Sequence, residues 1–473
     1  VISKKWPGIL YQSDREALGT TIAGFFMFCW EIVPMIVVHF EQERFLLGII
    51  YCLFIALFTA LIWYNALYWL RKFALKKSSV SWTLLSGLVS IVLLFVAFVV
   101  QQGRSYGLNK ALPSDPDVIL ISIDGIRADS VNSTWMPFLS RFAEQSIHFD
   151  QAIATTPIKG LSHSEQLTGM HAIQNGMMND TLKYHSFAKR LHDEGYGSAA
   201  FIADRSLGEA WSDLSLGFEV FDFMQEGWCR GCSKLPTFQI IPLFREKSKT
   251  QRSAQQLTER VGRFSERTSE QPVFVWVQLS QLTIMTDKTG YQEALKELDR
   301  QLEDLLTVWD ARNRESVVAI VGSYGMMLGE HDRYGSEFGL YEPLVHVPMF
   351  IKPLVYDDLE TVTFPVRTLD IYNTLLRQLK LPHNGKRQSA DLIRAQSQGF
   401  QGSNALLLGE ELVVDERSWI LGYRGRLKGE KTVYKLSLDP LRKRSMFVLP
   451  HEDRREREDS SEDHKSVYMK MLF

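Results

Sequence analysis

The chain has 473 residues, with 53 Lys and Arg against 55 Asp and Glu and a formal net charge of −2. That near-neutral balance offers no basic surface for nucleic acid, so no nucleic-acid partner is expected. The length accommodates a large α/β domain plus a smaller module.

In chain order, the apolar excess comes first. Three runs at about 18–40, 46–70 and 82–100 reach the ~20 apolar residues that a bilayer-crossing helix needs. They predict an N-terminal transmembrane module of three helices over residues 1–105. Four basic residues, Arg71, Lys72, Lys76 and Lys77, lie between the second and third runs. The loop between the first and second, Glu41–Arg44, is net acidic. Basic loops stay on the cytoplasmic side, so the chain is expected to leave the third span on the extracytoplasmic side. Glu31 lies inside the first run. An intramembrane carboxylate marks a functional position, here packing or contact with another membrane-protein subunit.

Residues 106–116 read as a polar linker. Asp117–Asp129, DVILISIDGIRAD, then reads as a buried parallel strand ending in Asp124 and a turn at Gly125. The carboxyl ends of such strands are where ligands and metals collect in open α/β sheets. Trp135–Glu144 has helical apolar spacing, Phe187–Gly195 and Tyr196–Ile202 read as helix then strand, and Val273–Gln278 and Val317–Val321 as buried strands. Tyr291–Val308 is an amphipathic helix with Leu295, Leu298, Leu302, Leu305 and Leu306 on one side. This alternation predicts an α/β domain over 117–385, a mostly parallel sheet sandwiched by helices. A small C-terminal subdomain is expected over 386–450. The tail, 451–473, holds a dense run of mixed charge and predicts a solvated segment. Cys229 and Cys232 form a lone Cys-x-x-Cys. Zinc would need two more ligands, so a local disulfide is the expected state outside the cytosol.

Several of these stretches resemble the sulfatase and alkaline-phosphatase superfamily. The strand ending in Asp124 matches the family's opening strand with its metal-binding Asp. Lys159-Gly160-Leu161-Ser162-His163-Ser164-Glu165-Gln166-Leu167-Thr168-Gly169 resembles the nucleophile motif, with Lys159 at the nucleophile position. Gly322-Ser323-Tyr324-Gly325-Met326-Met327-Leu328-Gly329-Glu330-His331-Asp332 resembles the second metal-ligand motif, with Ser323 and Tyr324 where the family has Asp and His. Ser336 falls where it has His or Lys, and Gln278–Thr283 lacks its usual His. His163 and His331 are retained.

The resemblance implies a metal-dependent hydrolase or transferase of phosphate or sulfate esters, in which Asp124 would hold a divalent metal. The substitutions argue for a degenerate site. An ammonium is not a family nucleophile, and neutral hydroxyls are poor ligands beside one carboxylate. The expectation is therefore a pseudoenzyme without a cofactor, in which Lys159 pairs directly with Asp124 in place of the metal. It would bind, sense or scaffold at the periplasmic face of a bacterial inner membrane as a multi-pass protein. Its partners would be the membrane, other membrane-protein subunits, and a lipid or glycan.

Overall fold

The computed structural model describes residues 111–179, 181–223, 251–285, 287–336, 339–354, 361–382, 387–393, 404–413, 416–425, 434–439, 444–450, 456 and 459–465. The three expected spans with Glu31, and the Cys229–Cys232 pair, lie outside the described residues. Among the described residues no helix is long and apolar enough to cross a membrane.

Strands β1 (Asp117–Asp124), β2 (Ile147–His148), β3 (Gly197–Ile202), β4 (Val220–Asp222), β5 (Val273–Leu279), β6 (Ser316–Tyr324) and β7 (Met349–Lys352) form one sheet. Their spatial order is β2-β7-β6-β1-β5-β3-β4. Pairings β1–β5, β1–β6, β3–β5 and β3–β4 are parallel, while β7 runs antiparallel to β6 and β2. The mostly parallel sheet expected from the sequence is thus observed.

The β1 sequence explains its central place. Val118 and Leu120 point to one core, and Ile119, Ile121 and Ile123 to the other, all buried. Alternate side chains of a strand face opposite sides, so a strand apolar at both parities must be covered on both. Helices α1 (Pro137–Glu144), α2 (Lys159–Thr168), α3 (Phe187–Asp193), α4 (Arg205–Ala210), α5 (Ala254–Arg267), α6 (Lys288–Asp310) and α7 (Ile371–Gln378) supply much of that cover. Leu161, Leu167, Leu191 and Leu375 from α2, α3 and α7 join the first core. Phe142, Leu257, Leu295, Leu298 and Leu302 from α1, α5 and α6 join the second. Each fully buried side chain of this kind contributes about 1.5–3 kcal/mol.

Charge fixes the two ends of β1. At its start the buried Asp117 carboxylate meets Arg312 at 2.7 Å and Arg314 at 3.3 Å. At its far end Asp124 opens the turn. Gly125 takes φ +78°, a left-handed conformation that costs glycine little, and its N–H donates to the Tyr324 carbonyl at 2.9 Å. Tyr291 from α6 donates its hydroxyl to the Gly125 carbonyl at 2.8 Å and holds this turn down.

The C-terminal strands β8 (Ala405–Val413), β9 (Glu416–Gly425), β10 (Tyr434–Asp439) and β11 (Arg444–Val448) form an antiparallel sheet in that order. Its inner face, with Ala405, Leu407 and Ile420, packs on Leu340 and Leu344. Among the described tail residues, Glu456 departs from the expected solvated segment: it is buried and accepts from Lys435 Nζ of β10 at 2.6 Å.

Candidate functional site

Four parallel strands deliver their carboxyl ends to one place. Asp124 ends β1, Gln278 lies near the end of β5, Ser323 and Tyr324 end β6, and Asp204 follows β3. A register shift shapes the β6 end. Ile123 pairs with Gly322 but Asp124 pairs with Tyr324, which makes Ser323 the extra residue of a bulge. Bulges re-aim side chains beside functional sites, and this one places both Ser323 and Tyr324 next to Asp124. Helix α2 begins over this edge and brings Lys159 and His163.

The Gln278 carboxamide is oriented by its surroundings. Its Oε1 accepts from the Ala203 and Asp204 backbone N–H groups at 3.0 and 3.1 Å. Its Nε2 therefore faces Asp124 and donates to Oδ2 at 2.8 Å. His163 Nε2 lies 3.0 Å from Asp124 Oδ1, with an oblique approach that leaves both atoms short of an aligned hydrogen bond. The Ser323 hydroxyl adjoins the same carboxylate. Burial alone would raise the Asp124 pKa. His163, the Lys159 ammonium and the Ser323 hydroxyl together outweigh it and hold the carboxyl below its ordinary value. The Tyr324 hydroxyl is pushed well above the usual phenol range, first by burial and then by the adjacent carboxylate, so it stays protonated. Ser336 adjoins that hydroxyl and opposes part of the shift.

The expected direct pair between Lys159 and Asp124 is not what forms. Lys159 Nζ pairs with Asp204 instead. The physical reason is preorganisation. Asp204 caps α4, with its Oδ1 receiving the Ser206 N–H at 2.8 Å and the Ser206 hydroxyl at 2.7 Å, which leaves Oδ2 directed to Lys159. Asp124 is already engaged by Gln278. The ammonium still acts on Asp124 through space, as one of the groups lowering its pKa.

The site is closed. Asp124, His163, Ser323 and Tyr324 are fully buried, and the Lys159 side chain keeps 28% of its surface beside an Asp204 that keeps 5%. Ser162 donates to the Ser323 carbonyl at 2.6 Å and ties α2 to the bulge. Trp211 packs on the start of α2, where a Cβ at Gly160 would fall 2.0 Å from its ring. Gly160→Ala is accordingly expected to cost about 1–3 kcal/mol through overpacking. Denaturant midpoints of Gly160→Ala, Trp211→Leu and the double variant check this, with coupling between the two expected.

The structure thus gathers Asp124, Lys159, His163, Ser323, Tyr324 and Ser336 into one cluster. His331 does not share it. That residue is exposed, sits at φ 53° and stacks on the Tyr341 ring at 4.2 Å. The sequence reading missed two members. Asp204 had the same signal as Asp124, a carboxylate just past a parallel strand. Gln278 carried no signal of its own beyond opening the Gln278–Thr283 stretch that lacks the family's usual His.

No family model and no curated protein matches this sequence. Solved structures do match in fold. A phosphonate monoester hydrolase of Agrobacterium radiobacter aligns over 76% of this chain and 94% of its own, with 14% identity and a TM-score of 0.58. A protein solved with its substrate D-glucosamine-2-N,6-O-disulfate aligns over 76% and 97%, with 14% identity and a TM-score of 0.58. A 2-O GAG sulfatase aligns over 76% and 89%, with 13% identity and a TM-score of 0.56. The described chain has the sulfatase/alkaline-phosphatase-like fold, as the motif resemblance implied.

That fold family implies a divalent metal at this strand edge, and the residues here do not fit one. Asp124 faces a carboxamide NH2, an imidazole, two neutral hydroxyls and a nearby ammonium. The carboxamide oxygen that could ligate is occupied by two backbone N–H groups. Among the described residues no group of three or more His, Cys, Asp and Glu is placed to hold a metal ion.

Proposed function

We propose that this chain is a sulfatase-like pseudoenzyme, anchored in a bacterial inner membrane, whose extracytoplasmic domain binds, senses or scaffolds. The observation that carries this reading is the state of Asp124. It is fully buried, bonded to Gln278 and flanked by His163, while Lys159 at the nucleophile position is committed to Asp204. An ion-paired ammonium has no free electron pair for attack, and a sealed carboxylate has no face for a substrate oxygen. The apolar runs before residue 105 support membrane anchoring, and Glu31 supports contact with another membrane subunit. A lipid or glycan is the class of ligand most in keeping with an extracytoplasmic domain of this kind.

A second reading is a metal-dependent hydrolase or transferase acting on phosphate or sulfate esters of lipids or glycans. The retained Asp124 and His163 favour it, as do the sulfatases and the phosphonate monoester hydrolase among its fold neighbours. Assay of the purified full chain on 4-nitrophenyl phosphate and 4-nitrophenyl sulfate, with and without added zinc, calcium or manganese, separates the two. No turnover above a Lys159→Met, Asp124→Asn control is expected. Turnover that the control abolishes would establish the second reading.

A further inference from the structure

Just past the bulge of β6, residues Met327–Leu328 and Tyr334–Gly335 pair as a small antiparallel hairpin, with Leu328 opposite Tyr334. Its turn, 329–333, is braced at several points. Gly329 N–H donates to the Arg333 carbonyl at 2.9 Å, and Arg333 N–H to the Glu330 carbonyl at 3.0 Å. The Glu330 carboxylate receives the Leu328 N–H and the Arg127 guanidinium, each at 2.6 Å. Inside this frame His331 and Asp332 take φ 53° and 56° in succession. Residues other than glycine adopt that region at a cost, and such residues concentrate at ligand-contacting sites.

The hairpin displays two aromatic rings, and each is backed by the protein. Tyr334 is 62% exposed, with the hydroxyl end of its ring resting on Gly329. A Cβ at Gly329 would fall 3.2 Å from its Oη and 3.5 Å from its Cζ. His331, also exposed, stacks on Tyr341 at 4.2 Å with 23° between the rings. The Arg333 guanidinium lies 6.0 Å from the same Tyr341 ring. Rings fixed before binding lose little freedom when a ligand covers them.

The surrounding charges decide what those rings can hold. Among the described residues of the turn and those bonded to it, the carboxylates of Asp129, Glu330 and Asp332 outnumber the guanidinium groups of Arg127 and Arg333. There is no positive surplus to draw a sulfate, a phosphate or an anionic headgroup. Nor do the rings form the continuous apolar face that enters a bilayer. Exposed rings among charged hydrogen-bonding groups suit a molecule with an apolar face and a rim of neutral hydroxyls. A pyranose sugar has that form, with C–H groups for the rings and hydroxyls for the carboxylates.

We propose that the 327–335 hairpin is a glycan-binding element, in which Tyr334 and His331 stack on neutral pyranose units and Asp332 accepts from their hydroxyls. The proposal rests on the binding role proposed above and narrows its ligand to a neutral glycan, held outside the sealed Asp124 cluster. The hairpin is joined to that cluster through its next residue, Ser336, which adjoins the Tyr324 hydroxyl.

Binding of maltohexaose, cellohexaose, laminarihexaose and chitohexaose to the detergent-solubilised full chain, followed by calorimetry and saturation-transfer NMR, gives the test. A heparin-derived hexasaccharide is the anionic comparison. At least one neutral sugar is expected to bind, with saturation passing from aromatic protons to its ring C–H protons. Tyr334→Ala is expected to weaken that binding roughly tenfold, and Tyr334→Phe by less than about twofold, because the ring is what is required. Tyr334 is exposed, so both variants are expected to keep the wild-type unfolding midpoint, which separates a lost contact from a lost fold. Absence of binding by all four neutral sugars overturns the proposal, as does equal binding by wild type and Tyr334→Ala. Binding of the heparin hexasaccharide alone overturns it too, because charge rather than the rings would then select the ligand, and the broader binding role would stand. Turnover in the nitrophenyl assays would remove the pseudoenzyme reading without touching this element.

Discussion

Asp124→Leu is expected to destabilise the α/β domain by about 3–5 kcal/mol, in the range for breaking a buried charged network by removing one partner. The substitution keeps the forked side-chain shape in a bulkier, apolar form and strands the buried Gln278 NH2 group, at about 1–3 kcal/mol for the orphaned donor, with overpacking added. Asp124→Asn retains an acceptor for Gln278 and is expected to cost less than half as much. Denaturant unfolding of the full chain, followed by tryptophan emission, measures both, because Trp276 stacks edge-on against His163 at 5.4 Å. The comparison discriminates between two kinds of site. A carboxylate waiting for a metal is an unsatisfied charge, so its removal leaves stability unchanged or raises it. A carboxylate consumed by its neighbours gives a loss. Acid sensitivity follows from the same group. The folded pKa of Asp124 is depressed, so its contribution is complete above the ordinary carboxyl range and is lost as pH falls through the depressed value.

The second large effect is expected at Lys159. Lys159→Met leaves the Asp204 carboxylate, 5% exposed, with only its Ser206 partners, and removes a cation acting on Asp124. The pair is partly solvated at the lysine, so the expected loss is about 2–3 kcal/mol rather than the full value for a sealed ion pair. The variant should also unfold in acid at a higher pH than wild type, because Asp124 loses one of the groups holding its pKa down. Lys159→Arg, which keeps the charge but changes length and shape, should restore the acid midpoint more fully than the overall stability. Acid titration of unfolding for the three proteins checks this. A Lys159→Met chain with the wild-type acid midpoint would show that the ammonium does not act on Asp124.

The scaffold was legible because its signals are local. The β1 run apolar at both parities, the leucine stripe of α6, and the strands at Val273 and Val317 all appear where the sequence places them. Asp124 was legible for the same reason, as a carboxylate at the end of a buried parallel strand. The partner of Lys159 was not. Choosing between Asp124 and Asp204 depends on which carboxylate is already engaged, and that depends on Gln278 reaching across from β5 to β1 and on Asp204 capping α4. Those are relations between strands distant in sequence. Glu456 escaped for a different reason. A dense mixed-charge run reads as solvated, and only the fold reveals that Lys435, itself fully buried on β10, requires an acceptor there. His331 sat in a matching motif, yet two successive left-handed residues, His331 and Asp332, place it in an exposed loop.

Elemental analysis of the full chain, purified without chelator and dialysed against zinc, calcium or manganese, tests most directly whether protein groups have replaced a catalytic metal. The residues around Asp124 predict metal well below one ion per chain and an unfolding midpoint that added metal or chelator does not move. One tightly held ion per chain, lost together with stability in Asp124→Asn, would contradict the account.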